Sequence, residues 1–192
     1  MNDSEKQMAE GIRRGDNRAM RDFYATFGPQ LTAVCSRYIA ADDDVKDVIQ
    51  ESLLSIISNI NTFEYHEKGS LRAWSTRIVI NHALGFLRKK KKETQIFADS
   101  GTIPDDTAFD STSADPPDIH DIPADVITDM IRRLPDGYRA VFNLYVIEEK
   151  SHKEIAGLLG IKEDSSASQL HRAKALLAKQ IKEYKSKSRQ RI

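Results

Sequence analysis

Residues 151–174, SHKEIAGLLGIKEDSSASQLHRAK, leave the chain few ways to fold. Ser151 with Glu154 three positions on is a capping-box pattern that opens a helix. Ile155, Leu158 and Leu159 then recur at i, i+3, i+4, one apolar stripe. Gly160 suits the left-handed position that ends a helix, and Ile161 can pack back on it. A second pattern, Leu170, Ala173 and Leu177, has polar residues between. Helix, glycine turn, helix predicts a helix-turn-helix, whose second helix enters the DNA major groove. An ordinary helical hairpin shows the same local pattern, so the rest of the chain must decide between them.

The 192 residues are 40% hydrophobic and 30% charged, enough for one or two small globular domains. No period-two alternation stands out, so the fold class expected is all-α. No apolar run is long enough for a membrane span. The start, MNDSEKQMAEGIRRGD, lacks the apolar core of a signal peptide, so a cytoplasmic protein without membrane insertion is expected. Cys35 is the single cysteine and excludes an intrachain disulfide. It sits in the stripe Leu31, Val34, Cys35, Tyr38, Ile39, as a buried core thiol would. The histidines show no metal-ligand spacing, and no phosphate-binding glycine loop or nucleophile motif occurs. No enzyme activity, metal or cofactor is expected. Net charge is zero but segregated: residues 93–126 hold nine acids and no Lys or Arg, between two mildly basic regions. Such asymmetry points to a nucleic-acid partner.

Taken in order, residues 4–27 predict one or two helices broken at Gly15-Asp16, with Met20, Phe23, Tyr24 and Phe27 as a core stripe. Gly28-Pro29 predicts a stop, and residues 31–39 a further helix. Asp42, Asp43 and Asp44 favour a helix N-terminus. Behind them Val45, Val48, Ile49, Leu53, Ile56, Ile57 and Ile60 form a long apolar face, opposite Lys46, Asp47, Gln50 and Glu51. NTFEYHEKGS, residues 61–70, breaks that helix. The next shows Leu71, Trp74, Ile78 and Leu84 and ends in five cations, residues 88–92, which suit a helix C-terminus and a phosphate backbone alike. Residues 124–133 predict a short helix. Pro135 opens another, using Tyr138, Val141, Phe142, Tyr145 and Val146. The end carries Lys179, Lys182, Lys185, Lys187, Arg189 and Arg191, a basic tail.

DVKDVIQESLLSIISNINTF, then GSLRAWSTRIVINHALGFLRKKKK, resembles region two of the bacterial RNA polymerase sigma factors. The landmarks are residues 47–51, Leu71-Arg72-Ala73-Trp74, Arg77-Ile78 and Asn81 with the basic end. Leu134-Pro135, residues 138–142 and the helix-turn-helix resemble region four. Regions two and four alone are the pattern of the extracytoplasmic-function group. The resemblance implies a region-two domain over residues 1–92, a flexible acidic linker over 93–123, and a region-four domain over 124–192. The linker's low hydrophobicity and four prolines agree with a disordered tether.

The resemblance also implies roles. Asp47, Gln50 and Glu51 would bind a coiled coil of core RNA polymerase. A base flipped out of the minus-ten element needs a stacking surface and hydrogen-bonding groups, and Asn61, Phe63, Glu64, Tyr65, His66 and Lys68 offer both. Arg77, Asn81, Arg88 and Lys89 would meet phosphate or separated strands, while Trp74 belongs to the core. For the minus-thirty-five element, Ser165, Ser168 and Arg172 would face promoter DNA, flanked by Gln169 and His171, with Lys153 and Lys162 on phosphates. Arg172 is expected to read a guanine. Two departures from the family pattern stand out: Ser166 where an apolar residue would pack, leaving a hydroxyl in need of a partner, and Ala167 where a cation would reach DNA. The function implied is a sigma factor that directs promoter recognition and DNA opening, with an anti-sigma protein as a further partner. The alternatives are a stand-alone helix-turn-helix regulator with a helical sensing domain, and a protein-binding helical scaffold.

Overall fold

The computed structural model describes residues 4–94 and 119–189. Most of the acidic linker expected at 93–123 therefore lies outside the described residues. All regular structure among the described residues is helical, and the contacts divide into two compact units, Met1–Phe86 and Leu87–Ile192.

The first unit starts with α1 (Ser4–Arg13) and α2 (Asn17–Tyr38). Gly15 turns the chain at φ 75°, and Asp16 caps α2 by accepting from the Arg18 N–H at 2.7 Å. The stop expected at Gly28-Pro29 does not occur: α2 runs straight through both. The reason is tertiary. Phe23, Phe27, Leu31, Val34, Cys35 and Tyr38 are all buried and continue one helical stripe across the proline, so ending the helix there would strand half of it in water. Tyr24, assigned to the same stripe, is exposed. Its ring lies over Gly28, where a Cβ would come within 3.0 Å of it. Burial pushes the Cys35 thiol up to about 12, as befits a structural cysteine.

α3 (Asp42–Asn59) buries Val45, Val48, Ile49, Ser52 and Ile56, and the Ser52 hydroxyl donates to the Val48 carbonyl. A 3-10 turn, Ile60–Thr62, ends it. α4 (Ser70–Thr94) buries Leu71, Ser75, Val79, Ala83, Leu84 and Leu87.

The second unit holds α5 (Ala124–Arg132), α6 (Asp136–Phe142), a π-helical turn (Asn143–Ile147), α7 (His152–Leu159) and α8 (Glu163–Arg189). Pro135 takes the N-cap position of α6, one residue before the helix it was expected to begin. Arg139 is buried between α5 and α6. Its Nη1 donates to the carbonyls of Leu134 and Arg132 at 2.7 and 2.9 Å, and its Nη2 to Asp136 Oδ1 at 2.6 Å. The carbonyls that a helix end leaves without partners are thus closed by one side chain. Burial lowers the guanidinium pKa, while Asp136 opposes that.

Two expectations for this unit change. Tyr145 and Val146, grouped with Tyr138, Val141 and Phe142 in the helix that Pro135 opens, are exposed: they lie in the π-helical turn, which widens the helix and carries Tyr145, Val146 and Ile147 outward. The basic tail is not a tail: α8 continues to Arg189, with Leu177, Ile181 and Tyr184 packed on the core that Ile122, Met130 and Leu134 form.

Candidate nucleic-acid and protein-binding surfaces

Asp47, Gln50 and Glu51 are exposed on α3. At the spacing i, i+3, i+4, i+7 they share a stripe with Leu54, which is 66% exposed, an apolar residue at the end of a polar stripe with Glu51 one turn before it. Glu51 Oε2 lies 3.9 Å from His82 Nδ1 on α4. No sequence pattern marks Leu54 or His82: an outward leucine looks like one more apolar residue until the inward set is known.

Among residues 61–70, Asn61, Glu64, His66 and Lys68 are exposed and Tyr65 is half-buried. Phe63 corrects the expectation. It is 3% exposed, and its ring lies 5.3 Å from that of Trp74. It presents no stacking face to solvent, which leaves Tyr65 as the aromatic at the loop tip. Trp74, expected in the core, is only half-buried at this contact. Arg77, Asn81, Arg88 and Lys89 are exposed. At about 100° per residue, Trp74, Arg77, Asn81 and Arg88 fall on one side of α4, with Lys89 on its flank.

The helix-turn-helix follows its sequence signals closely. The Ser151 hydroxyl accepts from the Glu154 N–H, and the Glu154 carboxylate accepts from the Ser151 N–H at 2.9 Å, both halves of the capping box. These bonds from Ser151, with Lys150 beside them, hold the Glu154 carboxyl below its ordinary range. Gly160 sits at φ 63°, and the Ile161 N–H closes back on Ala156 O at 3.1 Å. Ser166 and Lys162 settle where α8 begins: the Ser166 N–H donates to Lys162 O, and Glu163 and Asp164 place negative charge in the first turn.

The outward face of α8 is rotated from the one expected. Ser166, Gln169, Leu170, Ala173 and Leu177 are buried, and Ser168, His171 and Ala167 are exposed. Gln169, proposed as a flank of the reading face, is 5% exposed, and its Oε1 has no hydrogen-bond partner among the described residues. Arg172 and Ser165 are half-buried at the side, so Ser168 and His171 take the centre. Gln169, a polar residue on the inward face, causes the shift, while Ser166 is buried at the packing position expected of it. The Ser166 hydroxyl finds its partner in His152 Nδ1, 3.0 Å away at the start of α7. His152 in turn stacks on Tyr145, with ring centroids 4.8 Å apart, and Lys174 Nζ lies over the Tyr145 ring. Lys153 and Lys162 are exposed, as phosphate contacts need to be.

A capped helix, a left-handed glycine and a partly polar second helix with an exposed outer face define a helix-turn-helix protein of the DNA-binding class, here with a second helical unit before it. The family models sharpen this. Residues 23–93 match "Sigma-70 region 2" and residues 124–177 match "Sigma-70, region 4". The chain belongs to the sigma-70 family of RNA polymerase sigma factors, in its extracytoplasmic-function (ECF) group. It is similar to the ECF RNA polymerase sigma factor SigW of Bacillus subtilis, at 27% identity over 93% of this chain and 97% of that one. It is similar also to SigM of the same organism, at 29% identity over 69% and 76%. The ECF RNA polymerase sigma-E factor of Haemophilus influenzae is 21% identical over 93% and 95%. Of solved structures, the sigma factor RpoE bound to the anti-sigma factor NepR, from Bartonella quintana, is 20% identical with a TM-score of 0.46, over 84% of this chain and 98% of that one. A match to region two is no feature of a stand-alone helix-turn-helix regulator, and that alternative falls away.

Proposed function

We propose that this chain docks on core RNA polymerase through the Asp47–Gln50–Glu51–Leu54 stripe of α3, holds an unpaired minus-ten base with the tip of the 61–70 loop, and reads the minus-thirty-five element with α8. The observation that carries the docking role is the exposure of Leu54 on the same stripe as Asp47, Gln50 and Glu51. An apolar side chain left in water on an otherwise polar stripe gains by burial against a partner, and the carboxylates of Asp47 and Glu51 favour a basic one. Tyr65, His66, Glu64, Lys68 and Asn61 supply stacking and hydrogen bonds to a base, and Arg77, Asn81, Arg88 and Lys89 carry the strands. Phe63 supports the loop from below. The regions assigned are 1–92, 93–123 and 124–192. The factor makes and breaks no covalent bond, works in the cytoplasm beside its polymerase, and is held inactive by an anti-sigma protein that covers the same docking stripe.

The deciding experiment reverses charge at Asp47 and Glu51 and, separately, changes Leu54→Ser, in the full chain. Each variant should bind core polymerase at least tenfold more weakly. Thermal melting should barely move, since exposed substitutions usually stay within about 0.5 kcal/mol. Undiminished polymerase binding by a folded variant rules out this stripe as the docking surface.

A further inference from the structure

The helix α1 lies outside the residues matched to region two, yet it holds both ends of the 61–70 loop. At the loop's start, Arg13 Nε donates to Ile60 O at 3.3 Å, and Arg13 Nη2 donates to Phe63 O. At its end, Glu5 Oε2 accepts from the Gly69 N–H at 3.0 Å and from the Leu71 N–H at 3.1 Å. Glu5 is half-buried, and Ala9, Gly11 and Ile12 bury the same helix against its neighbours. These bonds reach across 47 and 50 residues of sequence from Arg13 and 64 and 66 from Glu5, and each ends on a backbone group.

We infer that α1 is a rigid strap that sets the shape of the loop receiving the minus-ten base, with Glu5 and Arg13 as positioning residues for base capture. This rests on the reading of that loop given above. Along a helix, Glu5 and Arg13 are about 12 Å apart at 1.5 Å per residue. Six residues from Phe63 to Gly69 would span about 20 Å if extended. Ends fixed nearer than that force the chain between them to arch outward. Glu64, Tyr65, His66 and Lys68 lie on the arch. Gly69 completes it: its φ of 97° turns the backbone so that its N–H meets Glu5 ahead of α4, a conformation side-chain-bearing residues rarely adopt. Below the arch, Phe63 is pinned by its ring against Trp74 and by its carbonyl on Arg13. The tip is thereby shaped before DNA arrives, and capture of a base does not have to bear the entropy of ordering it.

The test uses the full chain assembled with core polymerase. Glu5→Ala, Glu5→Gln, Arg13→Ala and Lys6→Ala are compared for polymerase binding, for opening of a promoter carrying 2-aminopurine in the minus-ten element, and for the bases selected from a randomised minus-ten element. Glu5→Ala and Arg13→Ala should bind polymerase as the wild type does, open about tenfold more slowly, the size expected for losing hydrogen bonds to a charged group, and accept more bases at the captured position. Glu5→Gln keeps an acceptor oxygen and should recover most of the rate and the preference. Lys6→Ala, exposed on the same helix, should change nothing. If an alanine variant does not fold, Arg13→Lys, which keeps the charge and loses the paired donors, decides on the same readouts. Tyr65→Ala and His66→Ala separate the two levels. If they slow opening while the α1 variants leave rate and preference untouched, the strap is refuted alone. If neither set affects opening, the loop reading fails and takes the strap with it.

Discussion

Ser166 Oγ and His152 Nδ1 lie 3.0 Å apart, fastening the first turn of the reading helix to the first residue of the helix before it. An apolar residue at 166 would leave the imidazole nitrogen facing hydrocarbon. Ser166→Ala should therefore lower stability by about 1 kcal/mol through the bond lost. The double variant with His152→Ala should fall by less than the sum of the two singles. Thermal denaturation of the four proteins in the cycle measures the coupling, and strict additivity would mean that the two groups do not interact.

Ser168 and His171 occupy the centre of the outward face of α8 and Arg172 its side. Selection of bound sequences from a randomised minus-thirty-five element should lose preference at one or two positions for His171→Ala and Ser168→Ala. Arg172→Ala should lower yield with an unchanged consensus. Lys153→Ala and Lys162→Ala should weaken binding evenly and reduce its salt dependence, as phosphate contacts do. A consensus altered by Arg172→Ala alone would restore the face read from the sequence.

How much was legible depended on whether a signal was local. The capping box at Ser151 and Glu154 and the left-handed Gly160 are each made by a few neighbouring residues, and they appear where the sequence put them. Pro29 is a local breaker, but the buried stripe from Phe23 to Tyr38 crosses it intact and outweighs it. Gln169 turns inward although a spacing rule built on apolar residues puts it at the edge of the outward face, and Ser166 lies inward as expected, with only the fold revealing that its partner is His152. Leu177, Ile181 and Tyr184 kept a helical spacing all along, obscured by the lysines between them. The attachments of Glu5 and Arg13 join residues too far apart in sequence for any spacing rule to find.

The depressed pKa of the Glu154 carboxyl gives the capping box a pH dependence of known sign. A carboxylate held low in the folded state contributes stability above its ordinary range, and that contribution is lost as pH falls through the lowered value. DNA binding and the melting temperature of the wild type should thus fall with acidification below the ordinary carboxylate range more steeply than those of Glu154→Gln. Parallel titrations of the two proteins test this, and parallel curves would count against it.

Arg139 is buried with its guanidinium spread over two carbonyls and Asp136. Arg139→Ala removes every donor and leaves Asp136 and both carbonyls short of partners. A loss of about 3 kcal/mol is expected in chemical denaturation. Asp136→Asn, which keeps an acceptor and lies at the edge, should lose much less. Equal losses would shift the weight from the carbonyl contacts to the ion pair.

Gln169 Oε1 is the opposite case, a buried acceptor without a donor among the described residues. Gln169→Met, of similar length and with no oxygen to desolvate, should raise stability by about 1 kcal/mol. A lower melting temperature would reveal that the amide is satisfied in solution.

The 27 residues of α8 form one uninterrupted helix, about 40 Å from end to end. Its lysine-rich half and its first turn are therefore mechanically joined, and any tilt about the core contacts of Leu177 and Ile181 moves both. A tilt of about 5° there swings Glu163, about 20 Å away, by about 2 Å. That is a large step on the scale of a base edge. A force on the lysines beyond Ile181 would thus move the first turn of α8 without touching it.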